Sequence, residues 1–297
     1  MSRYRFIAAE KVAAKAVVPA CALLGVSRSA YYQWYKRSLS PRRRRDAELG
    51  ERIVGIHQKS RGTYGAPRVH RQLQRDGIAC GRKRVARLMA EHKLAGCSKR
   101  RSKRTTLADS AVQPVATDLV QRAFTATGDL NRVWVGDITY LRSWEGWSYL
   151  ATVVDLGSRR VVGFAMADHM RASLATEALT MATTARRPAP GLVFHSDRGS
   201  QYTSREFTEL LKTDGIVQSL SRRHQCWDNA VAESFFATLK TELIYRHAWP
   251  TRSDLRRAVF EFIEVFYNRQ RLHSSLGNCP PAEYERATLR DGAASAA

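Results

Sequence analysis

Asp137, Asp197 and Glu233 are the acids whose settings suggest chemistry. Asp137 interrupts a strand-like apolar run formed by Trp134, Val135 and Ile138. An acid inside a would-be buried strand is costly unless it is paired or bound to a cation. Asp197 ends a second run, Leu192-Val193-Phe194 leading through His195-Ser196. Glu233 lies in DNAVAESFFATLKTEL, which has a helical period. Val231, Phe235, Leu239 and Leu243 fall on one side; Asn229, Glu233 and Lys240 share another. Asp228 is suited to cap that helix. Glu233 follows Asp197 after a gap of 35 residues, and Lys240 comes seven residues later. Seven residues of helix turn about 700°, about 20° short of two full turns, so Glu233 and Lys240 share a face. Three carboxylates from two strands and a helix can make a hard-oxygen site for Mg²⁺. Two such ions can activate one oxygen and stabilise another in phosphoryl transfer. That chemistry needs no covalent intermediate, so no Ser or Tyr nucleophile is assigned.

Each acid also has an ordinary reading. Asp197, before Arg198 and Gly199, suits an Asx-turn, and Glu233 by itself suits a solvated helix face. Asp155, in VVDLGSRR, rivals Asp137 as the first acid. His195 lies on the strand face of Asp197 and reads as a satisfied core histidine, with proton handling as its alternative. The sequence holds no GxxxxGK[ST], HExxH or GxSxG string. Its five cysteines are odd in number and lack CxxC spacing, which points to neither a disulfide frame nor a zinc site.

The longer strings narrow the reading. WVGDITYL, HSDRGSQYTS, DNAVAESFFATLKTEL and YNRQRLHSSLGNCPPAEY resemble the second-reading-frame transposase of the insertion sequence three family. That family lies in the superfamily of DDE transposases and retroviral integrases. The resemblance runs from the basic N-terminus to about Tyr284. It implies that Asp137, Asp197 and Glu233 are the catalytic, metal-binding acids, holding two Mg²⁺ ions for which Mn²⁺ can substitute. It implies a DNA transposase that cleaves and joins insertion-sequence ends, acting as a homo-oligomer on double-stranded element ends and target. An upstream first-frame helix-turn-helix protein, separate or fused by frameshifting, is a further implied partner. The implied fold is α/β: a ribonuclease H-like core, with a mixed five-stranded sheet and helices on both faces, preceded by all-α helix-turn-helix-type modules. Asp137 would lie on its first strand and Asp197 after its fourth, on neighbouring strands. The competing functions are a ribonuclease H-like nuclease and a catalytically decayed DNA-binding protein.

Charge supports a nucleic-acid partner. The 297 residues carry a net charge of +22. Residues 1–104 hold 27 basic and 6 acidic residues, so nearly the whole excess sits in the first third. A basic segment beside a near-neutral core is the electrostatic footprint of a DNA-binding arm. No apolar run reaches the roughly 18 residues of a membrane span, and the N-terminus lacks a signal-peptide core. The expected setting is therefore the bacterial cytoplasm, with the nucleoid, and no membrane.

The elements that must position these residues follow from period and punctuation. Residues 5–17, a helix from Pro19 through Leu24, and VSRSAYYQWYKR capped by Ser27 outline a helix-turn-helix. Ser27, Arg28, Ser29, Tyr32 and Gln33 would face DNA. LSPRRRRD reads as a linker. Residues 46–95 form a second helical module, with Arg82, Lys83, Arg84 and Arg87 pointing outward to DNA. The expected division is 1–40, 46–95, a basic linker 96–130, a catalytic core 131–246 and a C-terminal helix and tail 247–297. Within the core, the order βββαβαβα is expected, and Lys240 is expected to meet the DNA backbone. After a final helix, 252–267, the chain would wrap back on the core.

Overall fold

The computed structural model describes residues 3–12, 16–35, 41–98, 129–221 and 230–295. Its centre is a sheet ordered β3-β2-β1-β4-β5. Strands β1 (Val133–Ser143), β2 (Gly146–Asp155) and β3 (Val161–Ala167) form an antiparallel meander. Strands β4 (Val193–Ser196) and β5 (Val217–Leu220) add in parallel beyond β1. This is the mixed, ribonuclease H-like sheet expected from the sequence. Val135 pairs with His195, so β1 and β4 carry Asp137 and Asp197 past neighbouring positions.

Alternation along the strands divides the core in two. Trp134, Ala151, Val153 and Phe194 pack with helices α7 (Ala172–Arg186) and α8 (Arg205–Thr213). Val135, Leu141, Leu150 and Val154 pack with α9 (Ala230–Glu242) and α10 (Arg252–Glu261). Helices thus cover both faces. Ser204 caps α8 by accepting from the Phe207 N–H, and Thr251 caps α10 by accepting from Asp254. Asp228, the expected cap of α9, lies outside the described residues. Helix α7 crosses β3 closely. A Cβ on Gly163 would come within 2.2 Å of the Ala178 carbonyl oxygen, so the crossing requires glycine.

Three expectations change at the helices. The run Pro41–Arg45 is the first turn of α4 (Pro41–Lys59), not a linker. Pro41 takes the first helical position, where a missing N–H costs nothing, and Leu49, Ile53 and Ile56 bury the helix further along. The helix after Arg252 is α-helical only to Glu261 and widens into a π-turn over Phe262–Tyr267. The tail after Pro280 forms a helix, α11 (Pro281–Ser295), that period alone did not reveal.

The N-terminal helices α1 (Arg3–Val12), α2 (Val17–Leu23) and α3 (Arg28–Tyr35) close a small core of their own around Ile7, Val17, Cys21 and Tyr31. Ser27 caps α3, its hydroxyl accepting from the Ala30 N–H at 3.3 Å. By contrast, α4, α5 (Ala66–Arg75) and α6 (Arg82–Glu91) share one continuous apolar core with α9 and α10. The Tyr64 hydroxyl accepts from the Leu272 N–H at 2.7 Å, and Glu242, on α9, is gripped by Arg271 and Arg68.

The C-terminal segment is fastened to the sheet by buried polar groups. The Asn268 amide both donates to and accepts from the backbone of Val161, each at 3.0 Å, in place of a further strand. Glu285, on α11, accepts from Ser158, Arg160 and Arg186. Burial pushes its pKa up, but the hydrogen bonds and charges of Arg186 and Arg160 prevail and lower it. A carboxylate lowered in the fold stabilises the protein above its ordinary value, 4.5, and loses that contribution as the pH falls through its folded value. Glu285→Gln leaves two guanidiniums without their shared anion. We expect a loss of about 3 kcal/mol in urea unfolding at pH 7, narrowing as the pH drops below 4.5. An equal loss at every pH would show that the charge is not what holds α11.

Candidate active site and nucleic-acid interface

Asp137 sits in the middle of β1, opposite Thr152 of β2. Its carboxylate accepts the N–H of Ile138 at 2.8 Å. Burial, first, and then the charges of Asp197 and Glu233 push its pKa up to about 7, against the pull of the Ile138 N–H and of Lys240. Asp137 therefore feels both other acids and the lysine through space. Asp197 follows β4 in a turn, where one of its oxygens accepts the Gly199 N–H at 2.9 Å. Glu233 lies in the first turn of α9, largely open to solvent, and the partial burial of its carboxylate raises its pKa.

Local sequence explains these positions. Val231, Phe235 and Leu239 are buried against the sheet, which turns Glu233 and Lys240 toward Asp137. A Cβ on Gly136 would come within 2.3 Å of the Phe194 ring, so the residue before Asp137 must be glycine for that ring to cross β1. Tyr202 completes the wall. It is buried, and its pKa is raised well above the usual value by burial and by the charges of Asp137 and Asp197. Phe194 was legible only as part of the apolar run before Asp197, and Tyr202 only as an aromatic residue shortly after it.

Asp155, the rival acid, is taken up by structure. It is buried and accepts the N–H groups of Asn131 and Ser158 at 2.7 and 2.8 Å, closing the turn that follows β2. His195 is likewise buried, its Nδ1 2.9 Å from the Ser219 hydroxyl.

The donor set fits a hard divalent cation. Asp137 and Asp197 each have one oxygen fixed by a backbone N–H, which orients the second toward a ligand, and Glu233 adds a third carboxylate. Among the described residues, no three such groups are yet close enough to hold an ion together.

Lys240 is half-buried, with its ammonium 5.0 Å from the centre of the Tyr140 ring. Burial lowers its pKa while Asp137 acts to raise it. Tyr140 in turn meets Trp147 edge to face, and Arg142 stacks on the same indole at 5.2 Å. This aromatic and basic hairpin was not singled out in the sequence.

The other residues expected at DNA divide by environment. Ser27, Arg28, Ser29 and Gln33 are exposed, whereas Tyr32 is half-buried against Tyr31. Arg82 and Lys83 are exposed. Arg84 and Arg87 share Asp46, at 2.6 and 2.8 Å, and Arg87 also pairs with Glu91. With Arg42, Arg45 and Lys83 they line a basic concavity between α4 and α6.

The raised Asp137 pKa sets a stability dependence with a definite sign. Between its ordinary value, 3.8, and about 7, the folded acid holds a proton that the unfolded chain has released. The fold therefore loses stability as pH rises through that window. In chelator-treated protein, Asp137→Asn should raise the melting temperature at pH 8 by several degrees and change it little at pH 4. A fall in melting temperature at pH 8 would mean that Asp137 is not strained by its neighbours.

The chain matches known proteins along most of its length. Residues 129–226 and 214–281 match two families each described as Integrase core domain, and residues 43–104 match an HTH-like domain. The chain is 41% identical over 264 residues to the Insertion element IS600 uncharacterized 31 kDa protein of Shigella sonnei, covering 89% of this chain and 96% of that one. It is 37% identical over 271 residues to Transposase InsF for insertion sequence IS3A of Escherichia coli (strain K12), covering 91% and 93%. Among solved structures it is similar to the HTLV-2 integrase catalytic core domain in complex with magnesium (trimeric form), with a TM-score of 0.41 and 17% identity over 52% of this chain and 96% of that one. With this identity over about nine-tenths of both sequences, the chain belongs to the insertion sequence three family of transposases, polynucleotidyl transferases built on an integrase core.

Proposed function

We propose that this transposase cuts and joins the ends of its element at a DDE site formed by Asp137, Asp197 and Glu233. The observation that carries the reading is the Asp137 carboxyl, raised to about 7 inside the sheet by burial and by two other acids. Among the described residues no guanidinium pairs with it, unlike the buried acids Glu242 and Glu285. The three carboxylates would hold two Mg²⁺ ions, with Mn²⁺ able to substitute; such ions lower the pKa of an attacking water or 3′-hydroxyl and offset charge on the leaving oxygen.

The chain's own groups do the rest. The Ile138 and Gly199 N–H groups fix the planes of Asp137 and Asp197. Phe194 and Tyr202 close the inner side of the site and exclude water there. Lys240, held over Tyr140 beside Asp137, offers a compact cation to the phosphate next to the reacting one. Arg82 and Lys83 meet backbone phosphates outside the core. Ser27, Arg28, Ser29, Tyr32 and Gln33 read an element end. Arg84 and Arg87 contribute through the basic concavity, with much of their charge spent on Asp46. Two ends must be brought to one reaction, which favours a homo-oligomer on DNA, with or without an upstream helix-turn-helix partner. Among the described residues no helix is long and apolar enough to cross a membrane.

The test is incubation of the full chain with DNA carrying its element's ends and Mg²⁺, scored for 3′-end joining. Asp137→Asn, Asp197→Asn and Glu233→Gln should each lower joining by about a thousandfold, the several kcal/mol of charge stabilisation that a metal supplies. DNA binding should stay near the parent's. Full activity in any one of the three removes that residue from the site. Lys240→Glu should join less well than Lys240→Ala, because it sets a like charge against phosphate.

The basic module has its own test. Arg82→Ala with Lys83→Ala should flatten the log–log salt dependence of DNA binding by about 1.8, near 0.9 for each phosphate released. Arg84→Ala with Arg87→Ala should flatten it less and lower the melting temperature, since it strips Asp46 of its partners. Equal effects from both pairs would contradict this division.

A further inference from the structure

A cavity of about 420 Å³ lies against α9, where Ala230, Val231, Ser234 and Thr238 line it. Arg68 of α5, Arg159 of the β2–β3 turn, and Arg271, His273 and Ser275 of the C-terminal segment line it. Arg271 is 5% exposed and His273 is 9% exposed. Arg271 is held in a two-pronged pair with Glu242, at 2.7 and 2.8 Å, and Arg68 reaches the same carboxylate at 3.4 Å. One carboxylate thus serves two guanidiniums, and a third, Arg159, stands on the same wall. The buried Nε2 of His273 has no hydrogen-bond partner among the described residues. Leaving such an atom unmatched is costly.

Electrostatics agrees with the geometry. After burial, the influences on His273 are Arg271, Arg68 and Arg159, all cationic, and they hold its pKa well below the usual value. The imidazole is therefore neutral, and one of its nitrogens carries a proton to donate. A cavity walled by guanidiniums, an unmatched imidazole nitrogen and a hydroxyl fits an oxyanion. Planar guanidiniums match phosphate oxygens two at a time.

We infer that this cavity binds one phosphodiester group of the DNA strand being processed. The choice of DNA over a free anion rests on the proposed function and on place. Ala230 and Ser234 flank Glu233 on α9, within one helical turn, about 5.4 Å, of it along the axis. A strand whose scissile phosphate lies at Glu233 has a neighbouring phosphate within reach of the cavity mouth.

Binding of a fluorescein-labelled element end to the full chain, followed by anisotropy across a range of KCl, tests this. Arg159→Gln removes the charge and leaves a shorter, neutral amide. Ser275→Glu adds a carboxylate at an exposed position of the mouth, with Ser275→Gln as its control. Arg159→Gln should weaken binding by about tenfold and flatten the salt slope by about 0.9. Ser275→Glu should weaken it similarly, and Ser275→Gln should not. Parent-like affinity and slope in both charge variants, with unchanged melting, overturns the site. If inorganic phosphate raises the melting temperature of the parent but not of Arg159→Gln, and DNA binding is the same in both, the cavity holds a small anion and the DNA assignment fails. End joining by the parent, measured on the same preparation, separates the two readings. Joining with no slope change rejects the cavity alone, and a slope change without joining supports the cavity and rejects the transposition reading.

Discussion

The packing of α9 on the sheet is the constraint on which the candidate site depends. Val231, Phe235 and Leu239 are each no more than 8% exposed and meet the face of the sheet that carries Val135 and Leu141. Burying side chains of this size stabilises by roughly 1.5–3 kcal/mol each, so the helix has one favourable rotation about its axis. That rotation leaves Glu233 and Lys240 near Asp137, and it turns Ala230, Ser234 and Thr238 toward the Arg271 segment. One apolar stripe thereby sets two polar environments on a single helix.

Buried charge separates scaffold from chemistry in this chain. Glu242 and Glu285 are each gripped by two arginines, and Asp155 is satisfied by backbone N–H groups and Ser158. Those acids hold segments together: Glu242 fastens α5 and the C-terminal segment to α9, and Glu285 fastens α11 to the sheet. Asp137 differs, because its listeners are one backbone N–H, two further acids and a lysine. The fold holds that acid at a cost in stability once it ionises.

The basic third of the chain is less uniform than its charge suggests. Helices α4 to α6 share a core with α9 and α10, and Arg61 and Arg75 reach across to Glu261 and Glu283. Part of the positive charge thus fastens the module to the catalytic half, and part, at Arg82 and Lys83, faces outward. The run Arg42–Arg45 belongs with the outward group because it rides on a helix whose later turns are buried.

The sequence by itself determined much of this protein. Apolar alternation and helical period marked the five strands and most helices, and the three acids stood out because each broke or flanked an apolar pattern. Spacing alone put Glu233 and Lys240 on one face, since helical geometry is local and repeats every 3.6 residues. Other features were decided only in three dimensions. Asp137 and Asp155 looked alike as strand acids, and their neighbours in the fold told them apart: Asn131 and Ser158 for Asp155, Asp197 and Glu233 for Asp137. The Tyr140 ring beneath Lys240, the Tyr202 wall and the Glu242–Arg271–Arg68 lock join residues far apart in the chain. Helix α11 gave no clear period, and its place follows from a carboxylate meeting arginines 99 and 125 residues away. A local pattern records which face of an element is apolar, but the partner that face or charge meets is fixed by how the chain folds back on itself.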